Sequence, residues 1–249
     1  MPTIPPAGRK QKPCGRVEGT EIQELRRLVA EPWSEPEDNA LVLRDFLTEL
    51  PLIAILRGLK PENAEATGHA LVEAGFRVIE VPLNSPDPFR SIGILSKTMP
   101  KDVLVGAGTV LEPDLVNGVL DAGGKLIVMP HADAEVIRRA KELRLVCTPG
   151  VATPTEAFAA LKAGADAIKI FPAEATPPAV VKAWRAILPK DVIVLPVGGI
   201  KPETMKTYVE AGANGFGLGS ALFTPAMSVE DIGDNARRFA AAWRALRAG

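Results

Sequence analysis

Two strand-like apolar runs each hold one charged residue, Lys169 in Ala167–Ile168–Lys169–Ile170–Phe171–Pro172 and Glu80 in Val78–Ile79–Glu80–Val81–Pro82. Short apolar runs bounded by Gly and Pro read as buried strands. Burial there favours the neutral amine of Lys169, the form that attacks a carbonyl to make a Schiff base. The plainer alternatives are a lysine that snorkels its ammonium to water, or a Lys169–Glu80 ion pair with no chemical task. Buried ion pairs stabilise poorly, because desolvation offsets the Coulomb gain, so two lone ionisable residues in apolar strands point to function.

Other candidates close strand-like runs in the same way. Arg57 ends the first and precedes Gly58, and Thr109 ends Gly106–Ala107–Gly108–Thr109 after the third. A guanidinium holds a carboxylate through paired charge-assisted hydrogen bonds, and a threonine adds one donor. A salt bridge from Arg57 to Glu80 or a loop acid is its structural alternative. Two glycine clusters, Val197–Gly198–Gly199–Ile200 and Gly217–Leu218–Gly219–Ser220, follow the last two runs. Glycines let backbone N–H groups approach phosphate oxygens, though tight turns without a ligand use them too. Together these residues describe a substrate with a ketone, a carboxylate and a phosphate. His69 and His131 read as structural, with His131 a weak candidate for lining a pocket.

The elements that must position these residues recur evenly. Strand-like runs begin near Leu52, Val78, Val103, Leu126, Val146, Ala167, Val192 and Gly215, about every 20–26 residues, with helical patterns between. Four helices end in Ala–Gly, at Gly75, Gly123, Gly164 and Gly212, and two end in a Pro–Lys–Asp–Val run after Met99 and Leu188. Eight strand–helix modules in roughly 200 residues predict a TIM (β/α)8 barrel, with its chemistry at the C-terminal strand ends. The barrel domain is expected over 41–249. Residues 1–40 are expected to be a partly disordered extension, with a short helix over 21–30. A further helix over 40–50 is expected to lid the bottom of the barrel.

Composition excludes several classes. A hydrophobic content of 47%, a charged content of 24% and a net charge of −1 are those of an ordinary globular chain, with no electrostatic case for nucleic acid or a membrane surface. Cys14 and Cys147 sit in unlike contexts and suggest neither a disulfide nor a metal site. With no apolar run of membrane-spanning length and no secretory-type leader, a cytoplasmic protein is expected.

Six ordered motifs, Ile55–Leu56–Arg57–Gly58, Glu80–Val81–Pro82–Leu83–Asn84, Gly106–Ala107–Gly108–Thr109, Thr148–Pro149–Gly150–Val151, Lys169–Ile170–Phe171–Pro172 and Val197–Gly198–Gly199–Ile200, together resemble the KDPG/KHG aldolase family over about residues 50–247. The resemblance implies a class I aldolase that uses no metal or organic cofactor and acts as a homotrimer on a phosphorylated 2-keto-3-deoxy sugar acid. It makes Lys169 the Schiff-base lysine and Glu80 the general acid–base. Arg57, Thr109 and Pro172 would bind the substrate carboxylate, and Gly198, Gly199, Gly219 and Ser220 the phosphate.

Asn84 and Val197 stand where the gluconate-type branch has arginine and threonine, and both resemble the galactonate-type branch. That branch cleaves 2-dehydro-3-deoxy-6-phosphogalactonate to pyruvate and D-glyceraldehyde 3-phosphate. The run Pro172–Ala173–Glu174–Ala175 resembles the gluconate type instead. A 2-dehydro-3-deoxy-6-phosphogluconate or 4-hydroxy-2-oxoglutarate aldolase is thus the first alternative. A phosphate-binding barrel isomerase or epimerase, with Glu80 as base and no covalent step, is the second, and a non-catalytic sugar-phosphate sensor the third.

Overall fold

The computed structural model describes residues 43–248. The expected extension over 1–40, with its helix over 21–30, lies outside the described residues. A helical turn at 43–46 leads into alternating strands and helices. These are β1 Leu52–Ile55, α1 Pro61–Ala74, β2 Val78–Pro82, α2 Pro88–Thr98, β3 Leu104–Gly108, α3 Pro113–Asp121, β4 Leu126–Val128 and α4 Ala134–Glu142. They are followed by β5 Val146–Thr148, β6 Gly150–Val151, α5 Pro154–Lys162, β7 Ala167–Ile170, α6 Pro178–Arg185, β8 Ile193–Pro196, α7 Pro202–Glu210, β9 Phe216–Leu218 and α8 Val229–Ala248.

Local chemistry sets the ends of these elements. Helices α1, α2, α3, α5, α6 and α7 each begin at a proline, whose missing N–H is no loss in a first helical turn. The predicted Ala–Gly endings hold: Gly75, Gly123, Gly164 and Gly212 take φ of 107, 86, 104 and 99°, a left-handed conformation that turns the chain back toward the next strand.

Among the described residues every strand pairing is parallel, in a six-stranded sheet of order β5-β4-β3-β2-β1-β9 and a three-stranded sheet of order β6-β7-β8. This is an α/β fold whose larger sheet forms a parallel half-barrel, where eight unbroken strands in one barrel were expected. The extra segment arises in the fifth run. Pro149 has no N–H to give, so β5 stops at Thr148 and pairs with β4, while β6 resumes at Gly150 and pairs with β7. Backbone hydrogen bonds cross both gaps between the sheets. Asp166 N donates to Cys147 O at 3.0 Å, Lys169 N to Pro149 O at 2.9 Å, and Asn214 N to Val194 O at 2.9 Å, and Val197 bridges Gly217.

Side chains alternate between two cores. Leu52, Ala54, Ile79, Val81, Ile168 and Ile170 pack outward in the larger cluster shared with the helices. Ile53, Val78, Leu104, Leu126, Val146, Ala167, Ile193 and Leu195 form a separate inner cluster, closed by Leu43, Phe46 and Leu47. The helical turn thus lids that inner core as expected, but among the described residues only 43–46 of the helix expected over 40–50 is helical, and Leu50 joins the larger cluster instead. By period-two alternation Glu80 shares the inner face with Val78, Thr148 with Val146, and Lys169 with Ala167. Asp166 fixes the start of β7 by accepting from Cys147 N at 2.8 Å and from Lys141 Nζ at 2.7 Å.

Candidate active site

Lys169 is 6% and Glu80 1% exposed, each on the inner face above the apolar cluster. Burial pushes the Lys169 amine below the usual lysine range; Glu80 opposes that shift and Arg57 adds to it. Burial also raises the Glu80 carboxyl from 4.5 to about 7, against the pull of Lys169 and then of Arg57. The amine is therefore biased toward its nucleophilic form, and the carboxyl titrates where it can both take and give a proton at neutral pH. Glu80 Oε2 has no hydrogen-bond partner. That oxygen is therefore not engaged in an ion pair.

The space for that carboxylate comes from β3. Glu80 pairs in register with Gly106, and a Cβ on Gly108 would overlap Glu80 Oε2. Gly108 therefore serves as the seat of the carboxylate, a role the motif did not reveal, because it depends on what lies across the sheet. Thr109 follows with φ of 55° and is half-buried. A β-branched side chain avoids that conformation, at a cost of about 1–3 kcal/mol. Such strain persists at functional positions, and here the flanking backbone is pinned by Leu83 N to Gly108 O at 2.8 Å.

Lys169 Nζ lies 4.9 Å from the centroid of the Phe171 ring. The ring caps one side of the amine, a contact not anticipated from sequence. Pro172 follows and is exposed. Arg57 Nη1 donates to Asn84 Oδ1 at 2.8 Å, and both are exposed at the strand ends. This bond joins a predicted carboxylate-binding residue to a predicted specificity residue. Gly58 N donates to Ser85 Oγ at 2.9 Å and ties the same two loops together.

Val197 is buried, and its methyl carbon would lie 2.7 Å from a Cβ on Gly217. The Val197–Gly217 bridge sets the two glycine clusters side by side at the ends of neighbouring strands. Gly198 and Gly199 have φ of 111 and 61°. The space beside Gly219 is open, and Ser220 is exposed next to it. Thr148 Oγ1 is buried without a partner on the inner face. The histidines take no part. His69 sits on α1 opposite Glu65 at 3.9 Å, and His131 is exposed, contributing a backbone carbonyl to Gly150 N.

A family model described as KDPG and KHG aldolase matches residues 43–237. The chain belongs to this aldolase family. It is a lyase of the aldolase type. Among its relatives, the probable 2-dehydro-3-deoxy-6-phosphogalactonate aldolase of Rhizobium meliloti (strain 1021) is 49% identical over 81% of this chain and 95% of that one. The 2-dehydro-3-deoxy-6-phosphogalactonate aldolase of Escherichia coli (strain K12) is 47% identical over 79% of this chain and 96% of that one. A solved structure of native KDPGal superposes with a TM-score of 0.80 at 45% identity, covering 82% of this chain and 100% of that chain. Among the described residues of this aldolase, no helix is long and apolar enough to cross a membrane.

Proposed function

We propose that this aldolase cleaves 2-dehydro-3-deoxy-6-phosphogalactonate to pyruvate and D-glyceraldehyde 3-phosphate through a Schiff base on Lys169. The observation that carries this reading is the pairing of a buried amine with depressed basicity and a buried carboxyl titrating near 7 on one inner face. Neutral Lys169 adds to the C2 ketone, and loss of water from the carbinolamine leaves a ketiminium that draws electrons from C3. Glu80, directly or through one water, takes the proton of the C4 hydroxyl. The C3–C4 bond then breaks, its electron pair forming the enamine while C4 leaves as the aldehyde of glyceraldehyde 3-phosphate. Protonation at C3 and hydrolysis release pyruvate and free the amine.

Arg57, Thr109 and Pro172 bind the substrate carboxylate in this reading. Gly198, Gly199, Gly219 and Ser220 hold the phosphate, which the open space beside Gly219 admits. Asn84 and Val197 select the C4 epimer. Residues 41–249 make up the aldolase domain as an eight-stranded barrel. The hydrogen bonds across both sheet gaps support its closure, with β5 and β6 counted as one strand. Residues 1–40 form an extension to it. The working enzyme is a cytoplasmic homotrimer; Leu111 and Leu120, exposed at the start and on the surface of the α3 region, offer apolar surface for such contacts.

Turnover of both C4 epimers with coupled pyruvate detection, together with borohydride trapping of pyruvate, tests the reading. Preference for the galacto epimer and a trapped adduct on Lys169 are expected. The Pro172–Ala173–Glu174–Ala175 run favours a gluco-selective aldolase as the second reading, and the epimer ratio separates the two. Interconversion of substrate isomers with neither pyruvate release nor a trapped adduct would instead indicate the non-covalent isomerase class.

A further inference from the structure

A carboxylate sits over the glycine pair assigned above to phosphate. A Cβ built on Gly198 would overlap Glu174 Oε2, and one built on Gly199 would lie 2.7 Å from Glu174 Cγ. A Cβ on Gly219, by contrast, would meet nothing within 4 Å. The backbone of the two clusters is therefore open at Gly219 and covered by a carboxylate at Gly198 and Gly199.

The backbone fixes this placement. Glu174 is the middle residue of a 3-10 turn, Ala173–Ala175. Ala173 N donates to Val197 O at 2.8 Å, which anchors the turn to the residue preceding the glycine pair. On the other side the buried Tyr208 hydroxyl donates to Ala173 O at 2.9 Å and lies 3.3 Å from Thr176 O. Burial raises the Tyr208 pKa, and the Glu174 charge raises it further, as expected for a carboxylate close to that clamp. The Glu174 side chain itself is exposed and can rotate while its backbone stays fixed.

We propose that Glu174 is a specificity-determining residue, a resident anion that disfavours dianionic groups on the Gly198–Gly199 cradle and must swing aside for a phosphate to seat there. This rests on the phosphate assignment given above. A like charge opposes the second negative charge of a phosphate more than the first. Glu174 therefore raises KM for the phosphorylated substrate and favours the monoanionic form, and acts on binding rather than on the bond-breaking step.

The test uses inorganic phosphate as a competitive inhibitor of cleavage by the full-length enzyme, with Glu174→Gln, which keeps shape but not charge, and Glu174→Ala. Both variants should bind phosphate more tightly, by roughly 3- to 30-fold in Ki, the range for one partly screened like charge. In wild type, Ki should rise between about pH 6 and 8, as phosphate becomes dianionic, and rise less in Glu174→Gln. KM for the phosphorylated substrate should fall with little change in kcat. Tighter binding in Glu174→Ala alone would indicate steric cover rather than charge and overturn the proposal. An unchanged or weaker Ki in both variants would overturn it while leaving the cradle intact. A wild type not inhibited by phosphate, with Ser220→Ala leaving KM unchanged, would overturn the cradle assignment and this proposal with it.

Discussion

Glu80→Gln should separate what the buried carboxyl does for catalysis from what it costs the fold. Glu80 is 1% exposed with one oxygen unpaired, and its midpoint is raised from 4.5 to about 7. The sign follows from linkage. Between these two pH values the folded state binds more protons than the unfolded chain, so wild-type stability falls as pH rises through the window. Glutamine does not titrate, so the gap between variant and wild type should be near zero at pH 4.5 and reach a plateau above pH 7. At about 1.4 kcal/mol per pH unit, the full shift is worth roughly 3 kcal/mol. The attraction to Lys169 is already contained in this net shift, so the expected gain at pH 8 is about 2–4 kcal/mol. Urea denaturation at pH 4.5 and pH 8 measures the gap. Cleavage should meanwhile fall by roughly 100- to 10,000-fold, with borohydride trapping of pyruvate preserved. A stability gap independent of pH, or a variant less stable at pH 8, would refute the reasoning. Near-normal turnover would reduce Glu80 to an electrostatic neighbour of Lys169.

Three further substitutions probe the same site. Lys169→Met should abolish cleavage and trapping while leaving the fold intact, since a swap of similar volume usually costs under about 1.5 kcal/mol; mass spectrometry finding trapped pyruvate on another lysine would overturn the mechanism. Gly108→Ala should displace the Glu80 carboxylate, lowering kcat by roughly 100-fold and stability by about 1–3 kcal/mol, and unchanged kinetics would show that the seat is not needed. Val197→Thr should shift the ratio of specificity constants toward the gluco epimer by roughly 3- to 10-fold, the worth of one neutral hydrogen bond, whereas no shift would show that position 197 does not read C4.

Much of the candidate site was legible because it depends on residue type at a strand end. Lys169 and Glu80 stand out for being charged where their neighbours are apolar, and period-two alternation then places both on the inner face. Arg57, Thr109 and the two glycine clusters follow from the same regular spacing. What stayed hidden depends on neighbours distant in sequence. Gly108 reads as loop chemistry until β3 is laid beside β2, when its missing side chain becomes the volume that Glu80 fills. Nothing in the residue pattern aims the Phe171 ring at the amine; only the fold brings it against Lys169 Nζ. The break at Pro149 splits the fifth strand because an imide cannot donate. Spacing alone counts residues and not hydrogen bonds, so one continuous strand was the natural expectation.

The Arg57–Asn84 hydrogen bond gives a physical reason why position 84 should matter to substrate choice. The gluconate-type resemblance would put an arginine there, and two guanidiniums have no acceptor to share, so they would repel unless an anion lay between them. With Asn84, one guanidinium N–H of Arg57 is already satisfied at 2.8 Å, and the planar fork is oriented before substrate arrives. The remaining donors of Arg57 stay free to meet a carboxylate, and the positive charge at the site mouth is one unit lower. A site with less charge and a pre-oriented fork relies more on shape and individual hydrogen bonds at C4 to choose between epimers. That is the setting in which a single buried residue such as Val197, which lacks a hydroxyl, can bias the choice.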